Sequence, residues 1–229
     1  GSRPAAAVRI LSSKCDLRGT RARLRVFGKN VSLKMRLIGD YNLSNAAAAI
    51  AATATPANLK NIVRLLAAAD APPGRMERVD AGRHFVALVD YAHTPDALEK
   101  LLRACRRLKP RRLVSVFGCG GDRDRTKRPK MGRISTQLAD FTIVTSDNPR
   151  TEQPLSIIDE IRPGLKGVAG EKYQIEADRK KAIETACRMA RRGDIVVIAG
   201  KGHETYQIIG TVKNHFDDRE VARAAIEKC

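Results

Sequence analysis

Aromatic residues are scarce in this chain of 229 residues, which has five Phe, four Tyr and no Trp. The row of aromatic side chains on which single-stranded nucleic acid usually stacks is therefore missing. No RNA-binding signature is present either, so we expect no nucleic-acid partner despite a formal net charge of +18. We interpret the excess of Lys and Arg as a solvated basic surface that can attract anionic small molecules.

Paired cysteines, long apolar runs and a secretory signal are also absent. The five cysteines are scattered, which is typical of free thiols in a reducing compartment. No apolar run is long enough for a transmembrane helix, and residues 1–4 do not resemble a signal peptide. We therefore predict a cytoplasmic protein without membrane association, whose 43% apolar residues are enough for a folded core.

The hydrophobic pattern changes at the Pro-Pro-Gly stretch of residues 72–74, which is the best candidate for a domain boundary. Residues 8–38 are predicted to form strands, followed by helices at about 43–54, capped by Asn42 or Ser44, and at about 58–69. After the boundary, strands alternate with helices of ~10–14 residues, which predicts an α/β fold with a mostly parallel sheet. Its strands are expected at 84–90, 112–117, 141–145, 173–176 and 194–199, and its helices include 95–108, capped by Thr94, and 154–165. A β-hairpin is expected at 206–209 and about 212–216.

Four of the predicted loops that follow strands are rich in glycine, proline and ionisable side chains. They span residues 90–95, 118–124, 146–150 and 200–204. Ligands of an open α/β sheet bind beyond the carboxyl ends of its strands, so we expect one site at this edge. Each loop taken alone is also typical of an ordinary turn, and only their shared edge favours a site.

The residue types in these loops suit a zwitterion. Glycines at 118–121 allow backbone amides to approach an anion closely. Arg123 and Arg150 can each hold a carboxylate through two parallel hydrogen bonds, while Asp147 and Glu204 can accept an ammonium group. No phosphate-binding G-x-x-x-x-G-K-[ST] loop is present, because the glycine-lysine pair at 200–201 lacks that spacing.

From about residue 20 to the end, these motifs resemble the Mur ligases, most closely the branch that adds the third amino acid of the peptidoglycan stem. The segments that carry the resemblance are residues 74–77, 90–98, 118–132, 145–152 and 199–207. The resemblance implies a ligase in which ATP activates the carboxylate of UDP-MurNAc-L-Ala-D-Glu, and the amine of an amino acid attacks it. It also implies that residues 73–229 form the Rossmann-like, amino-acid-binding C-terminal domain, and that residues 1–72 are the end of the central ATPase domain.

The resemblance further implies two sets of site residues. Asp-Asn-Pro-Arg at 147–150 is the form associated with meso-diaminopimelate, a lysine with a second carboxylate that Arg150 would hold. The implied diaminopimelate pocket consists of Arg123, Asp147, Asn148, Pro149, Arg150, Gly200 and Glu204. The implied nucleotide contacts are Asn45, Arg75, Asp90 and His93.

The chain departs from the family pattern because the UDP-sugar domain, the phosphate loop and the ligands of the catalytic Mg²⁺ are missing. We therefore expect a fragment or truncated product that is inactive alone, although the intact enzyme would use ATP and Mg²⁺ and act as a monomer. Two alternatives stay open. One is a different Mur-like ligase, of the lysine-adding or folylpolyglutamate synthetase type, and the other is a non-catalytic binding module.

Overall fold

The computed structural model describes residues 1–79, 82, 84–167 and 169–229. The chain divides into two compact units, Gly1–Ala71 and Pro72–Cys229, so the division falls beside the Pro-Pro-Gly stretch. Among the described residues, no helix is both long and apolar enough to cross a membrane.

The first unit is a three-stranded antiparallel sheet covered on one side by two helices. Its strands lie in the order in which they follow one another, β1 (Val8–Asp16), β2 (Gly19–Val26) and β3 (Lys29–Met35). Side chains of a strand point alternately to the two faces of the sheet, and in β2 Leu24 and Val26 are buried while Arg25 between them is exposed. The helices α1 (Asp40–Thr53) and α2 (Leu59–Ala68) complete a core that includes Ala46, Ile50 and Leu59.

The predicted cap of the first helix is wrong. The N-cap residue of α1 is Gly39, whose φ of 102° suits a glycine and makes the turn into the helix without a side-chain cap. Asn42 is instead buried inside the first turn and donates to Ile38 O at 2.8 Å. Ser44 donates to Asp40 O at 3.3 Å, so neither predicted side chain caps the helix.

The second unit is built on a mostly parallel sheet, which confirms the predicted α/β fold. Within its described part, six strands are ordered β4-β5-β9-β6-β7-β8, and only β4 runs antiparallel to its neighbour. The strands are β4 (Glu77–Val79), β5 (Val86–Asp90), β6 (Leu113–Phe117), β7 (Phe141–Val144), β8 (Tyr173–Ile175) and β9 (Ile195–Ala199). The pattern did not predict β4, because three residues of which two are charged give no apolar run.

The helices of this unit divide between the two faces of the sheet. They are α3 (Pro95–Arg107), α4 (Lys127–Leu138), α5 (Pro154–Ile161), α6 (Arg179–Met189) and α7 (Asp218–Glu227). Side chains from α6 and α7 pack against alternate strand residues such as Val114, Val116, Val196 and Ile198. On the other face, Ser135 of α4 lies 2.9 Å from Thr142 of β7 (Oγ to Oγ1). Strands covered on both faces explain the continuous apolar runs in the sequence.

Three smaller features complete this unit. Thr94 caps α3 as predicted, accepting from the amide of Ala97 at 3.3 Å. The helix predicted at 154–165 leaves the α conformation at Ile161 and continues as a 3-10 turn, Arg162–Leu165. Pro163 explains this change, because proline has no N–H with which to continue the helix. The predicted hairpin is confirmed, with β10 (Tyr206–Ile209) paired to β11 (Val212–His215).

The position of β9 brings the four polar loops together. Of the six strands of this sheet, β9 comes last in the sequence but inserts between β5 and β6, so that Ala199 pairs with both Asp90 and Phe117, and Phe117 pairs with Val144. The carboxyl ends of β5, β9, β6 and β7 therefore stand side by side. Each of the four predicted loops starts from this row.

Candidate functional site

A cavity of about 590 Å³ opens beyond the row of strand ends, and all four loops contribute to its walls. Six of the seven residues predicted to bind the amino acid line it, the exception being Pro149. The lining residues are Tyr91, His93, Thr94, Pro95, Gly120, Arg123, Asp124, Lys127, Lys130, Asp147, Asn148, Arg150, Gly200, Glu204 and Tyr206. The cavity thus combines carboxylates with cationic groups in its lining.

The loops after β6 and β7 are joined by backbone and side-chain hydrogen bonds. Gly121 N donates to Asn148 O at 2.9 Å, and Thr151 Oγ1 donates to Asp122 Oδ1 at 2.7 Å. A Cβ at Gly121 would overlap with the carbonyl oxygen of Pro149, so this close approach requires glycine. The carbonyl oxygen of Pro149 therefore packs against the loop after β6, and Pro149 is not among the residues that line the cavity.

A buried arginine, which the sequence did not single out, fixes these loops from below. Arg128 has a fully buried side chain whose Nη1 and Nη2 donate to the two carboxylate oxygens of Glu152 at 2.9 and 2.7 Å. Nη1 also reaches Glu160 at 2.9 Å, and Nη2 reaches Gly120 O at 3.3 Å. The hydrogen bonds from Arg128 are the main reason that the pKa of Glu152 falls to about 2. In the sequence Arg128 is one of several basic residues in a row, and nothing there distinguishes it.

Replacing Glu152 with Gln is expected to reduce the loss of stability in acid. Because the pKa of Glu152 is about 2 in the folded chain and about 4.5 ordinarily, the unfolded chain binds more protons between these values. The free energy of unfolding therefore falls as the pH is lowered through this window, and a glutamine, which does not titrate, removes that part of the fall. Urea unfolding of both proteins at several pH values between about 2 and 7 measures it. Equal pH dependence in the two proteins would contradict the assigned ion pair.

Asn148, Lys201 and Glu204 form a connected group at the floor of the cavity. The Lys201 side chain is fully buried, and its Nζ lies 2.9 Å from Asn148 Oδ1 and 3.2 Å from Glu204 Oε2. Asn148 Nδ2 donates to the same Glu204 oxygen at 2.9 Å, and the amide of Ile208 donates to Asn148 Oδ1 at 3.0 Å. Among the described residues, none donates to Glu204 Oε1, so this oxygen is available to a ligand in the cavity.

Asp147 supplies a second carboxylate at the same wall. Its Oδ1 accepts the amide of Asn148 at 2.7 Å, and its backbone carbonyl accepts from Gln207 Nε2 at 2.7 Å. A Cβ on Gly200, whose φ is 123°, would overlap with Asp147 Oδ2, so glycine lets the carboxylate lie against the start of the loop after β9. In the part of the chain that the structure describes, no group donates to that oxygen. Asp147 and Glu204 therefore offer two carboxylate oxygens to an ammonium group.

The two predicted carboxylate-binding arginines also line the cavity. Arg150 has a φ of 53°, and its Nη1 donates to Gly121 O at 2.8 Å. Arg123 is exposed, and its Nη1 donates to the carbonyl of the preceding Asp122 at 3.0 Å. Neither guanidinium is paired with a carboxylate among the described residues. Both therefore keep a free cationic charge at the cavity, in the form that an incoming carboxylate needs.

Three cationic or imidazole groups surround the ring of Tyr91, which lines the cavity. The guanidinium of Arg75 lies 5.1 Å from the ring centroid, and the rings of His93 and His203 lie 4.6 and 5.1 Å away. A Cβ at Gly74 would overlap with the backbone of His203, so the segments before β4 and after β9 touch here. Arg75 and His93, both predicted nucleotide contacts, thus belong to one cluster, which we call the Tyr91 cluster (Arg75, Tyr91, His93 and His203).

Asp90 supports this cluster from the end of β5. Its Oδ2 accepts the amide of Met76 and its Oδ1 accepts the amide of Ala92, each at 2.8 Å. Burial raises the pKa of Asp90, and the two amides and Arg75 oppose the rise only in part. The carboxylate therefore orients the segments carrying Arg75 and His93. Contact of Asp90 with a nucleotide stays a prediction.

Asn45, the remaining predicted nucleotide contact, lies on the exposed side of α1 in the first unit. The cavity is lined only by residues of the second unit. The role of Asn45 in nucleotide binding also stays a prediction.

Neither a metal centre nor a nucleophilic thiol emerges from the described residues. They contain no group of three or more His, Cys, Asp or Glu that could hold a metal ion. Cys119 lies in the loop after β6, but burial raises its pKa to about 12, so it stays a protonated thiol. The carboxylates, arginines and lysines that line the cavity suit the recognition of charged groups.

Comparison with known proteins agrees with this chemistry. Residues 74–202 match the model of the Mur ligase family's glutamate ligase domain. The chain belongs to the Mur ligase family. The matched region contains β4 to β9 and all but two of the residues that line the cavity, Glu204 and Tyr206.

The relatives of this Mur ligase chain include several that share one name, UDP-N-acetylmuramoyl-L-alanyl-D-glutamate–2,6-diaminopimelate ligase. The protein from Syntrophomonas wolfei is 49% identical over 91% of this chain and 43% of its own length. The protein from Gloeobacter violaceus is 55% identical over 84% of this chain and 39% of its own length. The chain therefore spans less than half the length of these relatives.

Solved structures show the same likeness. A structure of a ligase of that name superposes over 99% of this chain and 46% of its own, with a TM-score of 0.72 and 37% identity. A folylpolyglutamate synthase from Thermotoga maritima gives a TM-score of 0.63 over 85% of this chain and 44% of its own, at 18% identity. At 18% identity, the likeness to the folylpolyglutamate synthase shows only that the two chains share a fold.

Proposed function

We propose that this chain is the amino-acid-binding part of an ATP-dependent ligase that adds meso-diaminopimelate to UDP-MurNAc-L-Ala-D-Glu in peptidoglycan synthesis. The observation that carries the proposal is the guanidinium of Arg150, which has no carboxylate partner among the described residues and lines the same cavity as the carboxylates of Asp147 and Glu204. The names of the relatives support the choice of amino acid.

The charges of the cavity match the groups of diaminopimelate. An ammonium group fits against Asp147 Oδ2 and Glu204 Oε1, which lack donors among the described residues. Arg150 and Arg123 are placed to hold carboxylates. Lysine lacks the second carboxylate and would leave the partly buried guanidinium of Arg150 without a carboxylate partner. The cavity would therefore bind lysine more weakly than diaminopimelate.

ATP would supply the phosphoryl group that activates the carboxylate of the acceptor. Arg75, His93 and His203 of the Tyr91 cluster are of the type that binds phosphate oxygens, and we propose them as the nucleotide-facing groups of this unit. Asn45 and the first unit would belong to the central ATPase domain, which would also hold Mg²⁺. Ligation would take place in the cytoplasm, in a monomeric enzyme that includes the phosphate loop missing from these residues.

In the ligation step, the chain's own residues would present the amine to the activated carboxylate. The amine nitrogen forms the C–N bond, the C–O bond to phosphate breaks, and the nitrogen loses a proton. Asp147 and Glu204 would hold the ammonium until it is deprotonated, and the arginines would fix the carboxylates that must not react. Such positioning lowers the entropic part of the barrier.

Calorimetric titration of the 229-residue chain tests the proposal, with meso-diaminopimelate, L-lysine, L-glutamate and a DNA oligonucleotide as ligands. We expect one molecule of meso-diaminopimelate to bind, and the other amino acids to bind more weakly. Stronger binding of lysine or glutamate would favour the lysine-adding or folylpolyglutamate type. If a folded chain binds only the oligonucleotide, with strong salt dependence, the ligase proposal is wrong and the chain is a binding module.

A further inference from the structure

A fully buried ion pair lies beneath the cavity, joining the first residues of two helices. Arg179 begins α6 and Asp218 begins α7, and neither side chain is exposed. Arg179 Nε donates to Asp218 Oδ1 at 2.8 Å, and Nη2 donates to Oδ2 at 2.7 Å. The two parallel bonds fix the plane of the guanidinium, and Asp218 neutralises its charge.

The remaining donors of Arg179 reach the ends of two strands. Nη1 donates to Ser146 O and Nη2 to Ala199 O, each at 3.1 Å. Ser146 immediately precedes Asp147, and Ala199 immediately precedes Gly200. β7 and β9 are not neighbours in the sheet, because β6 lies between them. Arg179 therefore fixes the distance between two loops that the hydrogen bonds of the sheet connect only indirectly.

This distance determines the geometry of the ammonium-binding wall. Asp147 Oδ2 lies against the backbone of Gly200, and a Cβ placed on Gly200 would be 3.9 Å from Arg179 Nη2. On the other side of the same loops, Asn148 bonds to Glu204 at 2.9 Å. A shift of either strand end would separate the two carboxylates that face the ligand.

We propose that Arg179, oriented by Asp218, is a positioning residue for amino-acid recognition, which holds Asp147 and Glu204 at the spacing that the ammonium group needs. The inference rests on the proposed function, since it assigns a role in binding the same ligand. Arg179 does not line the cavity and is not a catalytic residue.

The opposite edge of the same sheet offers a matched ion pair. Arg112 donates to Asp194 Oδ2 through Nε at 3.0 Å and Nη2 at 2.7 Å, and Nη2 also reaches Met189 O at 2.7 Å. This pair also joins an arginine, a buried aspartate and a backbone carbonyl, but it lies before β6 and β9, at the end of the sheet remote from the cavity. If Arg179 had only a structural role, substitution of either arginine would lower the stability, and the two variants would bind the ligand with equal affinity.

The test compares Arg179→Lys with Arg112→Lys in the 229-residue chain, by thermal melting and by titration with meso-diaminopimelate and L-lysine. A lysine ammonium keeps the charge but lacks the planar guanidinium, whose two Nη atoms donate to the ends of two strands. Both variants are expected to melt at lower temperature than the wild type. Only Arg179→Lys should raise the Kd for meso-diaminopimelate, by roughly tenfold or more, and it should raise the Kd for L-lysine in parallel, because both ligands carry the ammonium group.

Equal ligand affinity in the two variants would overturn the inference while leaving the proposed function intact. No binding by the wild type would instead reject the proposed function, and the inference with it. If Arg179→Lys does not fold, Asp218→Asn replaces it, because it keeps the arginine and removes the charge that orients it. An affinity loss greater than that of Arg112→Lys then supports the inference, and an equal one overturns it.

Discussion

Substitution of Arg150 by alanine is expected to weaken the binding of meso-diaminopimelate by about 2–5 kcal/mol, the usual loss when one partner of a hydrogen-bonded charge pair is removed from an interface. This range corresponds to an increase in Kd of roughly thirtyfold to several thousandfold. The reason is geometric. Nη1 of Arg150 donates to Gly121 O at 2.8 Å, so the guanidinium is oriented before the ligand arrives, and no described residue accepts from its Nε or Nη2, which leaves them for a carboxylate.

L-Lysine provides the internal control for this variant. Lysine has no second carboxylate, so the loss of Arg150 should change its affinity far less than that of meso-diaminopimelate. Titration of both ligands into wild type and Arg150→Ala therefore measures the contribution of that one carboxylate. A parallel loss for the two ligands would mean that Arg150 supports the loop and does not select the ligand.

The variant Arg150→Lys separates charge from geometry. An ammonium retains the charge but cannot form two parallel bonds with a carboxylate, so we expect an affinity between those of the wild type and the alanine variant. In a full-length ligase containing this chain, the same order should appear in kcat/KM for meso-diaminopimelate. A wild-type kcat/KM for Arg150→Ala would contradict the role proposed for this residue.

The position of the cavity could be predicted from the sequence for a simple reason. Continuous apolar runs such as residues 195–198 identify strands buried on both faces, and the residues after such strands must lie at one edge of a parallel sheet. Arg123, Asp147, Arg150 and Glu204 were predicted from the residue types in these loops, and Asn148 and Gly200 were implied by the resemblance to the Mur ligases. The structure places all six around one cavity. Neither the register nor the insertion of β9 between β5 and β6 was needed for that step.

The buried charges beneath the cavity could not be predicted. Arg128, Arg179 and Lys201 have no exposed side-chain surface, although each stands in a polar or glycine-rich stretch that suggests solvent. Their burial depends on partners distant in the sequence, such as Asp218 for Arg179 and Asn148 for Lys201. Local pattern carries no information about such pairs, because the direction of a side chain is decided by packing between elements.

The prediction of the N-cap of α1 was wrong for a related reason. Asn42 and Ser44 are residue types that favour the N-cap, but the helix begins earlier, at Asp40. Gly39 makes the turn, and burial of Asn42 directs its side chain to Ile38 O. Residue preference was overruled by the backbone conformation that only the preceding glycine accepts readily.

Replacing Lys201 with methionine is expected to destabilise the second unit by about 3 kcal/mol, at the lower end of the range for breaking a buried ion pair. The lower end applies because the partner, Glu204, keeps 17% of its side chain exposed. Without the ammonium, Glu204 Oε2 and Asn148 Oδ1 lose the cation that lies 3.2 and 2.9 Å from them. For a unit of this size the melting temperature should fall by roughly 6–12 °C, which scanning calorimetry can measure. Melting at the wild-type temperature would mean that Lys201 does not balance these oxygens.

The double variant Lys201→Met with Glu204→Gln separates stability from recognition. It removes both charges of the pair, so the melting temperature should recover much of what the single variant loses, as neutral replacements of buried ion pairs usually do. The affinity of the double variant for meso-diaminopimelate should nevertheless be lower than that of the wild type, because the carboxylate that receives the ammonium group is gone. If the double variant binds as tightly as the wild type, Glu204 is only a structural partner of Lys201, and Asp147 alone must bind the ammonium.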